Sequence, residues 1–204
     1  MLRLDARGEG LEAALAEACR VVAGGGVVIF PTDTVYGIGC QPSHPAAVER
    51  IYALKGRPRE KPLALHFSSV EYMLEYAPRD ARVLALARRF LPGPLTIVVR
   101  RPVTVDASIV AGLPTLGLRV PEHATCAALL ARCGPLAATS ANLSDAPPFT
   151  GRESPDDLPQ ADLFVDAGPA PVGIASTVVD LSQGDVRLIR EGAVPFDAIR
   201  RACA

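Results

Sequence analysis

The chain has no tryptophan and few other aromatic residues, 4 Tyr and 6 Phe among 204 residues. Proteins that grip single-stranded nucleic acid rely on aromatic stacking platforms and basic grooves, and the first is in short supply here. Excess charge is lacking too: 21 Lys and Arg against 22 Asp and Glu leave a formal net charge of −1. That balance excludes a broad polyanion-binding face, so any anion site must be local. No stretch approaches the roughly 20 apolar residues of a membrane span, and MLRLDARGEG at the N-terminus has no basic region before an apolar core. A soluble, cytoplasmic protein without membrane contact is expected. Cys19, Cys40, Cys126, Cys133 and Cys203 form no C-x-x-C pair, and His44, His66 and His123 form no H-E-x-x-H motif. Reduced thiols and no metal-binding residues are therefore expected. Neither G-x-x-x-x-G-K-S/T nor G-x-G-x-x-G occurs, so a nucleotide would have to be held by some other device.

What the chain does have is length and apolar material. With 49% hydrophobic residues over 204 positions, it can bury roughly 70% of its unfolded surface in one core. Residues 11–22 carry apolar side chains at the helical period and stop at Gly24-Gly25-Gly26. VVIFPT at 27–32 reads as a buried strand, followed by a helix from about Ser43 or Pro45 to Gly56 and a strand at 63–67. Helices are expected at about 69–77 and 80–90, a strand at 95–101, a strand at 115–121 and a helix at about 122–133. Further strands fall at 135–139, 162–166, 176–181 and 186–190, the last two joined by Gln183-Gly184-Asp185. Alternation followed by consecutive strands predicts an α/β domain with a mixed sheet. The Pro- and Gly-rich stretch 145–159 reads as a flap or surface loop.

Three segments gather polar groups where strands end. Pro31-Thr32-Asp33-Thr34-Val35-Tyr36-Gly37-Ile38-Gly39 follows the first strand, a position suited to a small polar ligand, although a capped turn explains it equally well. Lys55-Gly56-Arg57-Pro58-Arg59-Glu60-Lys61-Pro62 has four cations, and it contains the chain's only two lysines against 19 arginines. Lysine supplies a compact point charge and arginine a two-pronged grip, which together suit a polyphosphate; the alternative is a solvated basic loop. Thr139-Ser140-Ala141-Asn142-Leu143-Ser144 ends the strand at 135–139, and its hydroxyl and amide groups need partners in a ligand, water or backbone. Arg119 lies inside the apolar run TLGLRVP and must reach a polar edge or pair with an anion. His66 in LALHF is as consistent with a core histidine as with a ligand-binding one.

Taken in order, PTDTVYGIG at 31–39, KGRPREKPL at 55–63, PGPLT at 92–96, TLGLRVP at 115–121, TSANLS at 139–144, STVVD at 176–180 and IREG at 189–192 resemble the YrdC-like family, and within it the L-threonylcarbamoyladenylate synthases. The resemblance implies a single α/β (α+β-like) domain whose twisted mixed sheet and helices enclose a positively lined cavity. It covers 1–204 with a core of about 11–192 and, as in the short members, no extra C-terminal domain. It also implies a reaction: L-threonine, bicarbonate and ATP give L-threonylcarbamoyl-AMP and pyrophosphate. Threonylcarbamoyl-transferase proteins would pass the group to tRNA beside the anticodon, and any tRNA binding by this chain is expected to be weak.

By match to the family's motifs, Thr34, His66, Arg119 and Ser176 would hold threonine, with Arg119 on its carboxylate and the backbone near Ala138 alongside. Lys55, Arg57, Lys61, Thr115, Ser140, Asn142 and Arg190 would hold ATP, with the backbone at Pro148 flanking the nucleotide. Lys55 and Arg57 would act electrostatically, together with Mg²⁺ arriving on ATP, and no covalent nucleophile is expected. Many members carry Asn where this chain has Lys61, so Lys61 either meets a phosphate or faces solvent. Without an extra domain the site would need another closure, for which 145–159 is the candidate. Competing readings are an RNA-binding module of the same fold and a carbamoyl-adenylate-forming enzyme.

Overall fold

A computed structural model describes residues 1–110 and 112–203; Ala111 and Ala204, part of the domain expected over 1–204, lie outside the described residues. The strands are β1 (Leu2–Asp5), β2 (Val28–Phe30), β3 (Gly37–Cys40), β4 (Ala64–His66), β5 (Leu95–Arg100), β6 (Thr115–Arg119), β7 (Leu136–Ser140), β8 (Leu163–Asp166), β9 (Thr177–Asp180) and β10 (Arg187–Arg190). The helices are α1 (Leu11–Ala23), α2 (Pro45–Lys55), α3 (Val70–Leu74), α4 (Ala81–Phe90), α5 (Ala124–Cys133) and α6 (Phe196–Cys203). Local chemistry sets several boundaries. Pro45 opens α2 with a preset φ, and Gly56 closes it in the left-handed region at φ 58°. Ser69 Oγ accepts the Tyr72 N–H at the start of α3, and Asp80 Oδ1 accepts the Arg82 N–H at the start of α4.

The strands form one ten-stranded sheet among the described residues, in the order β1-β8-β2-β3-β7-β4-β6-β5-β9-β10. It is mixed, as expected: β1–β8, β2–β8, β4–β6 and β5–β9 run parallel, and the other neighbours run antiparallel. Side chains alternate between the two faces. Ile29, Ile38, Leu65, Ile97, Leu118, Ala137, Phe164 and Val179 point to one face and form a continuous core with α2, α3, α4 and α6. Val28, Phe30, Leu136, Ala138, Leu163 and Val165 point to the other face, where α1 and α5 cover them. These two helices stop at β7. Beyond it the same face is floored by Ala64, Thr96, Thr115, Gly117 and Val178, with no helix over them, and this uncovered half is the wall of a cavity.

Three expectations change. The core extends past 11–192, because β1 pairs with β8 and Ile199 of α6 is fully buried. β3 was read as part of a polar motif; Gly37 and Gly39 have low strand propensity, yet a side chain at either would crowd the Phe30 ring or Ala138. The stretch 145–159 is a surface loop tied down at several points rather than a free flap: Leu158 is buried in the core, and the Thr150 carbonyl accepts the Ala170 N–H at 2.7 Å. Phe149 is buried against Tyr36 and Phe164, and its carbonyl accepts the Tyr36 N–H.

Candidate active site

The turn after β2 places the first functional groups. Thr32 Oγ1 donates to the Val35 carbonyl at 2.6 Å and accepts the Thr34 N–H at 3.2 Å, which tightens the chain before it returns as β3. This turn directs Asp33 and Thr34 at Arg119, at the end of β6. Arg119 Nη2 donates to Asp33 Oδ1 at 2.6 Å and to Thr34 Oγ1 at 2.7 Å. Both charged side chains are almost wholly buried, at 6% and 4% exposure. The pairing is incomplete: Arg119 Nε and Asp33 Oδ2 are buried with no partner. A buried ion pair is favourable only when its remaining donors and acceptors are met, so this end of the cavity is chemically unsaturated.

His66 is beside Arg119 across the β4–β6 ladder and packs edge-on against Phe30. Burial, reinforced by the Arg119 charge, pushes its pKa down to about 3, so it is neutral at physiological pH. Ser176 Oγ lies 3.0 Å from Thr96 Oγ1, and Arg190 Nη2 donates to the Ser176 carbonyl at 2.8 Å.

At the other end, Lys55 terminates α2 and is 2% exposed. Its Nζ donates to the carbonyls of Ser140 (2.6 Å) and Asn142, holding the loop after β7 against the helix end. Burial, with the Arg57 charge second, lowers its pKa to about 7. Arg57 folds over its own loop, donating to the Lys61 and Pro62 carbonyls at 2.8 and 3.0 Å. Ser140 Oγ donates to Asn142 Oδ1 at 2.5 Å, which pre-sets both side chains.

Except for Asp33 and Thr34, these groups face one cavity of about 630 Å³, large enough for a nucleotide-sized ligand. Among the expected site residues, Lys55, Arg57, Lys61, His66, Thr115, Arg119, Ala138, Ser140, Asn142, Ser176 and Arg190 line it. Thr34 lies behind the wall, fully buried and bonded to Arg119, and Pro148 is not on the wall. Lys61 stands at the rim, half exposed, 3.5 Å from the exposed carboxylate of Asp145. Arg59, another cation of this basic loop, turns back along α2 to pair with Glu49 and lie over the Tyr52 ring. Asp33 and Thr96 were not singled out as site residues. The signal for Asp33 was the demand of Arg119 for an anion; the signal for Thr96 was a hydroxyl at an alternate position of LTIVVR. Among the described residues no three His, Cys, Asp or Glu side chains converge to hold a metal. No helix among them is long and apolar enough to cross a membrane.

A mixed α/β sheet that leaves one half-face open over a cation-lined pocket, with a buried Arg–Asp pair at one end, defines an α/β protein with a pocket complementary in charge to a small anion. The chain belongs to the Sua5/YciO/YrdC family: residues 20–192 match its sequence pattern, which is described as telomere recombination. It is 36% identical over 192 residues to the threonylcarbamoyl-AMP synthase of Pyrococcus abyssi, an alignment covering 89% of this chain and 56% of that one. The chain thus spans little more than half the length of that relative. The crystal structure of P. abyssi Sua5 complexed with L-threonine superposes with a TM-score of 0.88 at 34% identity, covering 98% of this chain and 60% of that one. Escherichia coli YciO superposes with a TM-score of 0.85 at 26% identity, covering 97% of both chains.

Proposed function

We propose that this chain joins L-threonine, bicarbonate and ATP into L-threonylcarbamoyl-AMP and pyrophosphate. The observation that carries the reading is the division of a single cavity into two chemically different ends. One end has Arg119 with a buried, unpartnered Nε beside hydroxyls of the β5 and β9 region; the other has Lys55, Arg57, Ser140 and Asn142. An amino-acid carboxylate suits the first, and a triphosphate suits the second. The P. abyssi structure complexed with L-threonine supports threonine as a ligand for this fold.

In this reading, threonine's ammonium group gives up a proton, and the resulting amine condenses with bicarbonate to a carbamate, releasing water. A carbamate oxygen then attacks the α-phosphorus of ATP as pyrophosphate leaves. Such a displacement needs positioning and charge neutralisation more than covalent help. Arg119, held by Asp33 and Thr34, fixes the carboxylate. His66 stays neutral and adds no positive charge against the approaching ammonium. Lys55 and Arg57 oppose the charge that develops on the leaving pyrophosphate. Glu60, Asp145 and Asp180 also line the cavity, but among the described residues no three acidic, His or Cys side chains converge, which fits Mg²⁺ held chiefly by phosphates and water. When bound that way, Mg²⁺ neutralises part of the triphosphate charge. Proteins that transfer the threonylcarbamoyl group to tRNA would be the consumers of the product.

The test is pyrophosphate release from ATP and bicarbonate with threonine supplied, withheld or replaced by serine. Release that requires threonine is expected. Release indifferent to threonine, or salt-sensitive RNA binding with no release at all, overturns the reading.

A further inference from the structure

The cavity does not use the contact between α1 and α5. These helices pack on the covered half-face of the sheet, and their facing surfaces bring together two of the five cysteines. The Sγ atoms of Cys19 and Cys133 are 2.8 Å apart although 114 residues separate them in sequence. Cys19 lies in the last third of α1 and Cys133 is the final residue of α5, so each is carried on a regular helix rather than a loop. Both are partly exposed, whereas Cys40 and Cys126 are wholly buried. Cys203 ends α6, which packs on the opposite face of the sheet. Among the described residues no third Cys, His, Asp or Glu joins the pair, so the two sulfurs do not form a metal site.

We infer that Cys19 and Cys133 are a built-in cross-linking site, two thiols at rest that close to a disulfide between α1 and α5 under oxidising conditions. The oxidant class is a small-molecule disulfide. One thiolate attacks a sulfur of oxidised glutathione, forming a mixed disulfide and releasing one glutathione thiolate. The second cysteine thiolate attacks the protein sulfur of that mixed disulfide and releases the other glutathione. Two protein thiols are oxidised, one glutathione disulfide is reduced, and both thiol protons end in the released glutathione or solvent. Burial, with the neighbouring Cys19 thiol second, pushes the Cys133 thiol up, so Cys133 rests protonated near neutral pH. Because the link closes a long loop between helices already in contact, it constrains the unfolded chain far more than the folded one. The cross-link therefore acts as a staple of the covered half.

The full chain is incubated folded with oxidised glutathione, digested without reductant and read by mass spectrometry, and its melting is followed with and without dithiothreitol. A Cys19–Cys133 peptide pair is expected, with loss of two free thiols of the five. The melting midpoint is expected to rise by at least about 5 °C and to return on reduction. Cys203→Ser keeps both effects; Cys19→Ser loses both while its reduced form melts near the reduced parent. Stable glutathione adducts on Cys19 or Cys133, a link to another cysteine, or linkage only in denaturant overturns the site. A Cys19–Cys133 link that leaves the midpoint unchanged or lower overturns the staple.

Discussion

One face of the sheet has two halves with the same alternation and opposite chemistry. Under α1 and α5, the positions of β2, β7 and β8 that point to this face are Val28, Phe30, Leu136, Leu163 and Val165, all fully buried. Past β7, the positions of β4, β5 and β6 that point the same way are Ala64, His66, Thr96, Val98, Thr115, Gly117 and Arg119. Large aliphatic groups attract a helix, because covering them removes apolar surface from water at about 25 cal/mol per Å². Small and polar groups offer a helix little, so the second half stays concave and wet. Stability is concentrated in the first half and ligand chemistry in the second. β7 is the seam, with Leu136 under the helices and Ser140 in the cavity.

The largest effect is expected where the open half breaks its own rule by burying a charge pair. Arg119→Ala should raise the threonine concentration needed for half-maximal pyrophosphate release by at least roughly a hundredfold, the size of effect seen when one partner of a buried charge pair is truncated. It should also cost about 3–5 kcal/mol in denaturant unfolding, because Asp33 is left buried and uncompensated. An effect on ATP alone would move Arg119 out of the amino-acid end.

A paired experiment separates the halves directly. Leu15→Ala, in α1 and fully buried, should destabilise by about 2–5 kcal/mol while leaving both substrate affinities unchanged. Gly117→Val, on the cavity floor, should weaken substrate binding by at least roughly tenfold by filling space, with the smaller stability loss of a crowded site. A Cβ there would lie 3.0 Å from that of Ala64, so the floor has no slack. If Leu15→Ala shifts affinity as much as Gly117→Val does, the two halves are not separable.

Next come Lys55→Ala and Arg57→Ala, each expected to lower turnover by at least roughly tenfold, a loss of about 1.4 kcal/mol in transition-state stabilisation. Lys55 adds a pH signature of its own. Its pKa is lowered to about 7, so its charged form is lost as pH rises through 7. Triphosphate affinity should therefore weaken up to about tenfold between pH 6 and 8, and Lys55→Arg, which does not titrate there, should flatten the profile. The smallest effect is expected at the rim. Lys61→Ala should change ATP affinity by less than about twofold, since its exposed pairing with Asp145 is screened by solvent. A tenfold loss would bring Lys61 into the phosphate end.

Much of this site was legible before any coordinates. Arg119 in an apolar strand called for a polar edge or an anion, and the clustering of both lysines marked Lys55–Lys61 as unlike the rest of an arginine-rich chain. Among the described residues, eight of ten strands and five of six helices fall where periodicity puts them. The exceptions have local causes. β1 is four residues long and mostly exposed, so it has no apolar alternation to read. β3 is half glycine. α6 has a strongly one-sided apolar face, but it lies past the last polar motif, where the expected core ended. Arg59 could not be separated from Arg57 by sequence, because both lie in one basic loop; only the fold turns one over its own loop and the other toward Glu49.

By itself, then, the sequence determined where most elements lie, which strand faces are polar, and that any anion site had to be local. Those properties depend on neighbours within a few residues, through φ preferences, caps and the two-residue pleat. The tertiary structure decided the rest: that β7 separates a covered half-face from an open one, that Asp33 meets Arg119 across 86 positions, and that Cys19 meets Cys133 across 114. Periodicity records which side of a strand is polar. Which strands lie beside it, and so whose polar side it shares, is set by long-range pairing and by where helix cover runs out.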